Sequence, residues 1–237
     1  MKLLKLALAT LLVGSFGAAH SAGVLTHDYQ LNGTLTDAFA GPSLVAAGGT
    51  LGPNDYTFGA NQGLSLSNGL VSNGNYSIEM RFSFDNLNGF RKILDFKNLS
   101  SDNGFYDLNS ALNFYPVVTG GPAFNTGTMA DVILTRDGAS NTLTGYVNGV
   151  LQWSFIDASS LAVFDQPNDI VQFFKDDFAT GQREASSGVV DFIRIYDGAL
   201  NANEICIGTN GCNNVPEPGT LALFGAIALA AGLRRRR

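Results

Sequence analysis

The chain has 237 residues, of which 45% are hydrophobic, 14% are charged and 28 are glycines. The apolar fraction is enough for one core. The glycine content, and the turn residues between short apolar stretches, exclude a helical bundle and predict an all-β domain. Between residues 22 and 214 the chain has eight Lys and Arg against 19 Asp and Glu, a net charge of −11. Such an acidic body repels phosphates and excludes a nucleic-acid-binding role.

Residues 1–21 have the composition of a secretory signal peptide. Two lysines form a positive start, an apolar stretch follows at 6–16, and Ala19 and Ser21 supply small residues at the −3 and −1 positions. Cleavage is expected after Ser21, with Ala19 and Ala22 as alternatives. An uncleaved anchor is the other interpretation, but the run is shorter than the ~20 residues of a membrane span. We therefore expect export through the Sec translocon and processing by signal peptidase.

Short β-like runs separated by turn clusters fill the body, residues 23–213, with no repeat and no long linker. Apolar and polar residues alternate along 76–85, which predicts a strand with one buried face and Glu79 on its outer face. This pattern favours one antiparallel sandwich.

A double hairpin gives the strongest local pattern. Strands are predicted at 131–136, 142–147 and 150–155, and Asn148-Gly149 suits the positive φ angles of a type I′ turn. Trp153 is expected in the core, with Leu151 and Phe155 on its own face.

A last strand and a short helix follow. Val189–Tyr196 is almost continuously apolar, which is typical of a central strand buried on both faces. Asn201 is a candidate N-cap, Glu204 occupies the third helical position, and Leu200 with Ile205 can form a hydrophobic staple. We expect a helix of about one turn.

Two cysteines, Cys206 and Cys212, lie in the stretch CIGTNGC. In an exported protein they are expected to pair, and the glycines between them let the chain turn back. A metal site would need more ligands, and the two histidines, His20 and His27, are far away in sequence. The pattern favours a local structural disulfide.

Acidic residues in two polar segments are candidate calcium ligands. Asp176, Asp177 and Glu184 surround a loop that follows a strand, and their oxygens suit calcium. A second segment adds Asp102, Asn103 and Asp107. The alternative is that all are solvated turn residues, because Asp and Asn favour turns and the spacing of an EF-hand is missing.

Catalytic candidates are sparse. Glycoside hydrolysis usually needs two carboxyl groups about 5 to 9.5 Å apart. The body has three glutamates, and no strand presents two aspartates two residues apart toward a groove. The chain is therefore not expected to be an enzyme. Trp153, Tyr115 and Tyr106 are aromatic residues that could stack on sugars. A core role is favoured for Trp153, and Tyr106, in a polar stretch, is predicted to be the better exposed ring.

Three segments in order resemble the LamG-like, concanavalin A-like jelly-roll family: YSIEMRFSF, LTRDGASNTLTGYVNGVLQWSF and VDFIRIYDGALNANEI. The resemblance implies an antiparallel jelly-roll β-sandwich of two packed sheets. Many members bind glycans, proteins or other ligands, often with a calcium ion near the rim of the sandwich, and some relatives hydrolyse polysaccharides. Fold alone decides none of these functions.

The last residues, 214–237, resemble a bacterial PEP-CTERM sorting signal. Its motif is matched by Val215, Pro216, Glu217, Pro218 and Gly219. An apolar helix is predicted at 220–233, and the basic end consists of Arg234, Arg235, Arg236 and Arg237. The resemblance implies recognition by a membrane-embedded exosortase in a Gram-negative bacterium, and such hosts commonly make extracellular polysaccharide. A plain C-terminal anchor is the alternative.

Membrane insertion of this tail is expected to be transient. Residues 221–233 would form a helix of about 20 Å, which is shorter than the ~30 Å hydrocarbon core of a bilayer. The four terminal arginines should stay on the cytoplasmic side of the inner membrane, which places the Pro-Glu-Pro segment outside.

These observations support three functional hypotheses. The leading one is an exported surface or extracellular-matrix protein whose jelly roll is a non-catalytic binding or adhesion module, for glycan or exopolysaccharide. A polysaccharide hydrolase of the jelly-roll class and a ligand-free structural envelope protein are the alternatives.

Overall fold

The computed structural model describes residues 23–209, with side chains described as far as residue 205. The strands are β1 (Val24–Tyr29), β2 (Val45–Ala46), β3 (Thr50–Leu51), β4 (Tyr56–Phe58), β5 (Leu64–Leu66), β6 (Tyr76–Phe84), β7 (Phe90–Asp95), β8 (Gly104–Leu108), β9 (Ala111–Tyr115), β10 (Val118–Pro122), β11 (Ala130–Asp137), β12 (Thr142–Val147), β13 (Val150–Ile156), β14 (Val171–Phe173) and β15 (Gly188–Asp197). Within these residues, helical structure is confined to a 3₁₀ turn at Pro167–Asp169 and the helix α1 (Ala202–Thr209).

Two antiparallel sheets form the sandwich that the sequence predicts. Sheet A has the strand order β13-β12-β11-β6-β15-β4-β3, and β1 also pairs with β15. Sheet B has the order β10-β9-β8-β7-β14-β5-β2. Many neighbouring strands are distant in the sequence, such as β15 beside β6. Crossovers of this kind, in two packed sheets, are typical of a jelly roll.

The core lies between the sheets and is rich in aromatic rings. Ile78, Met80, Phe82 and Phe84 of β6 point into it, as their alternation predicts, and none is more than 2% exposed. The ring of Phe82 lies 5.0 Å from that of Phe174, which follows β14. Tilted ring pairs of this kind join the two sheets and add to the stabilisation from burial.

The outer face of β6 is also buried, which the sequence does not predict. Ser77 and Glu79 are at most 3% exposed, because the segment that leads into α1 covers this part of sheet A. Ser77 Oγ donates to the Gly198 carbonyl at 3.0 Å and accepts the N–H of Leu200 at 2.8 Å. The position of Glu79 on the outer face was therefore predicted correctly, but its exposure was not.

The double hairpin matches the prediction closely. β11, β12 and β13 pair in order, and Asn148 and Gly149 both have positive φ angles, 50° and 75°. Trp153 is 5% exposed, and its Nε1 donates to the Leu112 carbonyl at 3.1 Å. Leu151, in contrast, is 55% exposed. A register shift between Gly145 and Tyr146 turns Leu151 to the other face of the strand.

The expectation that β15 is buried on both faces is wrong. The strand is central, since it pairs with β6 on one side and with β4 and β1 on the other. Its core-facing residues are buried, but the opposite face is only half-buried and holds charges. There, Arg194 forms ion pairs with Asp28 at 3.2 Å and Glu79 at 3.6 Å.

The helix α1 begins with the capping box that the sequence predicts. Asn201 Oδ1 accepts the N–H groups of Asn203 and Glu204 at 2.9 and 3.1 Å. In return, Glu204 Oε2 accepts the Asn201 N–H at 2.7 Å. Leu200 and Ile205 pack together with Ile133 of sheet A. The helix has eight residues and is therefore longer than the single turn expected.

Candidate functional site

The candidate site lies on the outer face of sheet B, where the chain leaves the sheet and returns to it. The N–H of Phe174 donates to the Ile93 carbonyl of β7, and the N–H of Lys92, one residue earlier on β7, donates to the Glu184 carbonyl. Residues 175–183 form an excursion between these two points, which we call the sheet B loop. The loop is tied to the segment before β8 by a bond from the Phe178 N–H to the Leu99 carbonyl.

A buried lysine fixes the base of this loop. Lys92 is fully buried, and its Nζ lies 2.8 Å from Asp177 Oδ2 and 3.7 Å from Asp95 Oδ2. The same ammonium lies 4.3 Å from the centroid of the Tyr106 ring, within cation–π range. The loop is therefore anchored by charge and by a π contact at one point.

The two aspartates respond differently to this lysine. Burial acts to raise the pKa of Asp177, but the hydrogen bond and charge of Lys92, together with the backbone N–H groups of Thr180 and Ala179, lower the pKa overall. For Asp95 burial is the larger effect, so its pKa is raised. The positive charge of Lys92 is thus matched mainly to Asp177.

A small pocket opens beside this base. It has a volume of about 70 Å³ and is lined by Phe90, Asp102, Tyr115 and Glu184. The rings of Phe90 and Tyr115 meet edge to face, with centroids 5.5 Å apart. We call this feature the acidic pocket, because two carboxylates and two aromatic rings form its wall.

The carboxylates of the acidic pocket lie next to further negative charge. The Glu184 N–H donates to Oδ2 of Asp176 at 2.8 Å, and Oδ1 of the fully buried Asp176 has no hydrogen-bond partner among the described residues. Burial, and then the charges of Asp102 and Asp176, raise the pKa of Glu184 to about 7. Glu184 is therefore a carboxyl group that changes charge near neutral pH.

The prediction that Tyr106 is an exposed stacking ring is wrong. Tyr106 lies on β8 and is fully buried, because the sheet B loop and the segment before β8 cover it. Its hydroxyl donates to the Asp102 carbonyl at 2.9 Å. The residue supports the floor beneath the acidic pocket and presents no face to a ligand.

The three predicted calcium ligands are brought together, but two of them have partners within the chain. Asp176 Oδ2 accepts the hydroxyl of Thr180 at 2.9 Å as well as the Glu184 N–H. Asp177 pairs with Lys92. In residues 23–205, no group of three or more His, Cys, Asp and Glu side chains has an arrangement that suits a metal ion. Calcium binding stays a prediction without support from this geometry.

The second predicted acidic segment divides between two places. Asp102 lines the acidic pocket, whereas Asp107 is buried on the other face of β8, paired in register with Leu112 and Arg91. Within residues 23–205, neither carboxylate oxygen of Asp107 has a partner that meets the geometry of a full hydrogen bond. Burial raises its pKa to about 7, and the backbone N–H of Ser110 and the charge of Arg91 offset only part of that effect.

Of the two aromatic residues in the pocket, the sequence singled out Tyr115 as a possible sugar-stacking ring but missed Phe90. Phe90 and Tyr115 lie at the ends of β7 and β9, and nothing in their spacing links them. Phe178, in the sheet B loop, is 67% exposed. An apolar residue in the polar run KDDFATGQRE was the available signal for this last residue.

A second cavity lies under α1 on the outer face of sheet A. It has a volume of about 270 Å³, and its lining consists of Gly23, Glu79, Ile133, Tyr196, Leu200, Glu204 and Ile205. The carboxylate of Glu79 accepts the Tyr196 hydroxyl at 2.7 Å and pairs with Arg194. The wall is mostly apolar, and its main charge is neutralised within the chain.

Several predictions lie outside the described residues. They concern the signal peptide at 1–21, the disulfide between Cys206 and Cys212, and the tail at 214–237. Across the residues that the structure does describe, no helix is long and apolar enough to cross a membrane.

Solved structures with the same architecture include proteins that carry sugars. Domain 4 of AbnA, a GH43 extracellular arabinanase from Geobacillus stearothermophilus in complex with arabinotriose, has a TM-score of 0.56 and 19% identity; the match covers 81% of this chain and 100% of that one. The CBM40 of a Ruminococcus gnavus IT-sialidase, bound to α2,3-sialyllactose, has a TM-score of 0.53 and 13% identity, over 66% of this chain and 96% of that one. At these identities the likeness shows the fold.

A mutant of Trypanosoma rangeli sialidase with trans-sialidase activity has a TM-score of 0.58 and 17% identity. The match covers 80% of this chain but only 34% of the sialidase chain. This chain therefore corresponds to about a third of that enzyme's length. No curated protein sequence matches the chain.

Family models account for both the domain and the tail. Residues 58–206 match the Laminin_G_3 model, described as the concanavalin A-like lectin/glucanases superfamily. Residues 214–237 match the PEP-CTERM protein-sorting motif. The motif implies Sec-dependent export, exosortase processing and a place in the cell envelope or at the cell surface. The chain thus belongs to the concanavalin A-like lectin/glucanases superfamily and carries a PEP-CTERM sorting motif.

Proposed function

We propose that the domain is a non-catalytic glycan-binding module of a surface or extracellular-matrix protein, and that glycan binds at the acidic pocket. The observation that carries this proposal is that two carboxylates and two aromatic rings line one pocket. The exposed ring of Phe178 belongs to the sheet B loop, on the same side of sheet B. Carboxylates accept hydrogen bonds from sugar hydroxyls, and aromatic rings supply apolar contact area with a defined geometry.

Buried side chains support the acidic pocket from beneath, and this support favours ligand binding. Lys92, Asp177 and Tyr106 are fully buried and hold the sheet B loop against β7 and β8. A rigid loop loses little conformational entropy when a ligand binds, so more of the contact energy appears as affinity. The oligosaccharides bound to the arabinanase domain and to the CBM40 are consistent with this ligand class.

The sorting motif implies export to the cell envelope or the cell surface. We propose that the host is a Gram-negative bacterium and that the ligand is a polysaccharide of its own extracellular matrix. A net charge of −11 across residues 22–214 keeps such a protein soluble at the surface.

The test is a glycan array together with a pull-down on exopolysaccharide from the host, both with the full chain in detergent. Phe178→Ala should weaken retention at least about tenfold, the equivalent of ~1.4 kcal/mol. Phe39→Ala is the matched control, because Phe39 is also exposed, at 57%, but lies in the turn after β1. A blank array and a blank pull-down would instead favour a ligand-free structural envelope protein.

A polysaccharide hydrolase is the second candidate, and one observation favours it. Glu184, with a pKa raised to about 7, has the property of a general acid, and Asp102 places a second carboxylate in the same pocket. Incubation with the retained polysaccharide decides between the two. Release of reducing ends that Glu184→Gln abolishes, while retention persists, would establish hydrolysis and overturn the non-catalytic proposal.

A further inference from the structure

The charges around the acidic pocket are unbalanced. Among the described residues, no Lys, Arg or His lies within ion-pair distance of Asp102 or Glu184; the ion pairs of this region join Lys92 to Asp177 and Asp95. Among residues 23–205, the carboxylate of Glu184 has no hydrogen-bond partner. Asp102 Oδ1 has only the Tyr106 hydroxyl at 3.1 Å, whose single proton is shared with the Asp102 carbonyl at 2.9 Å. The pocket thus presents two carboxylates without a cationic partner.

Further negative charge lies directly behind this wall. Asp176 is fully buried, its Oδ1 has no partner, and its Oδ2 is bonded to the backbone of Glu184. The nearest buried cation, Lys92, is fully enclosed and already bound to Asp177, so it cannot reach a ligand. Arg183, next in sequence to Glu184, is exposed to solvent and forms no ion pair with the pocket carboxylates.

The rest of the pocket also suits a cation. Phe90 and Tyr115 supply aromatic rings to the wall, and an ammonium beside a ring gains cation–π attraction. The volume of about 70 Å³ admits a substituent of a sugar ring but not the whole ring. A divalent metal is less suited, because no described group of three carboxylate or histidine side chains can hold one.

We infer that the acidic pocket selects an amine-bearing sugar, and that the ammonium substituent enters between Asp102 and Glu184 while the sugar ring stays at the mouth. This inference rests on the proposed glycan-binding function and narrows its ligand class. Neutral hydroxyls would satisfy the hydrogen bonds of the carboxylates without relieving their mutual repulsion. Acidic sugars, such as uronic acids, would add to the repulsion and are excluded.

Three oligosaccharides of the same length test the inference on the full chain in detergent, by calorimetry at near-neutral pH. They are an oligomer of β-1,4-linked glucosamine, the same oligomer fully N-acetylated, and an oligogalacturonate. The glucosamine oligomer should bind at least about tenfold more tightly than its acetylated form, and the oligogalacturonate should not bind. Added sodium chloride should weaken the first interaction and leave the second unchanged, because salt screens only charged pairs.

Substitutions of the two pocket carboxylates test whether they cause the preference for the amine. Asp102→Asn and Glu184→Gln should each remove most of the preference for the amine while the acetylated oligomer binds as before. Asp191→Asn is the control, because it removes the same charge from sheet A, at a carboxylate that pairs with Arg81 at 3.4 Å. It should leave the binding of all three oligosaccharides unchanged.

The outcomes separate the inference from the function on which it rests. Tighter binding of the acetylated or acidic oligomer would overturn the amine specificity and leave glycan binding intact. No binding of any of the three, combined with a blank glycan array, would overturn both. Calcium binding that Glu184→Gln abolishes would also overturn the inference, because the pocket would then be a metal site.

Discussion

Lys92 and Asp177 form an ion pair at 2.8 Å in which both side chains are 0% exposed. Lys92 belongs to a central strand of sheet B, whereas Asp177 belongs to the loop above it. Ion pairs of this kind gain little over an apolar pair of the same volume, but they are costly to break, because one charge is left buried without its partner.

We therefore expect Lys92→Met to lower the free energy of unfolding by about 3–5 kcal/mol. The methionine keeps most of the volume but leaves Asp177 buried and unpaired. Chemical denaturation with urea measures the change. Lys97→Met is the comparison, because its partner at 2.9 Å, Asp165, has a side chain that is 53% exposed and stays solvated when the pair is broken. Lys97 also donates to the Val163 carbonyl at 3.0 Å, so we expect a loss of about 1 kcal/mol. Equal losses in the two variants would show that Lys92 and Asp177 do not anchor the loop.

Loss of the N-cap of α1 should destabilise the protein less than loss of the Lys92–Asp177 ion pair. Asn201→Ala removes an oxygen that accepts two backbone N–H groups, and should lower the free energy of unfolding by about 1 kcal/mol. Asn203→Ala is the control, because Asn203 is a half-buried residue inside the helix whose backbone N–H, but not its side chain, takes part in the cap, and alanine is favourable there. An identical loss for both substitutions would mean that the cap contributes nothing specific. Thermal unfolding followed by circular dichroism is sufficient for this comparison.

The capping box of α1 and the acidic pocket differ in how far the sequence could predict them. The capping box, the type I′ turn at Asn148-Gly149 and the alternation along β6 are local patterns, and each was predicted correctly from a few consecutive residues. The acidic pocket is not local. Its four lining residues come from β7, the segment before β8, the end of β9 and the position directly after the sheet B loop, so no spacing in the sequence joins them.

Exposure was the other property that the sequence could not supply. Tyr106 lies among polar residues, yet loops cover it; Glu79 lies on an outer face, yet the approach to α1 covers it. Leu151 shows the opposite case, since a one-residue register shift places an apolar side chain in solvent. Each error comes from a long-range contact or a bulge that periodicity alone does not encode.

Asp107 should make stability depend on pH. Its pKa in the folded protein is raised to about 7, above the value of about 3.9 expected for an unfolded chain. Between these values the folded state holds a proton that the unfolded state has released. The contribution of Asp107 to stability is therefore present in acid and is lost as pH rises toward 7.

Asp107→Asn replaces the neutral acid with an isosteric neutral amide. We expect the two proteins to have similar melting temperatures near pH 4, and the variant to melt at least about 3 °C higher near pH 8, the equivalent of roughly 1 kcal/mol. Thermal unfolding across this pH range measures the difference. Asp191→Asn, at a half-exposed residue, should show no such trend. Parallel curves for wild type and Asp107→Asn would mean that Asp107 is not the group responsible.

Tyr106 and Phe178 should separate support of the pocket from contact with the ligand. The Tyr106 hydroxyl donates to the Asp102 carbonyl beneath the pocket, and its loss in Tyr106→Phe should lower the free energy of unfolding by about 1 kcal/mol. Glycan retention should stay within about twofold of wild type, because the ring is fully buried. Phe178→Ala should do the reverse, since an exposed side chain contributes little to folding. The contrary result would be a Tyr106→Phe variant that loses glycan retention while its stability is unchanged. The buried ring would then have to contact the ligand through an opening of the sheet B loop. The rigid support inferred for the pocket would in that case be wrong.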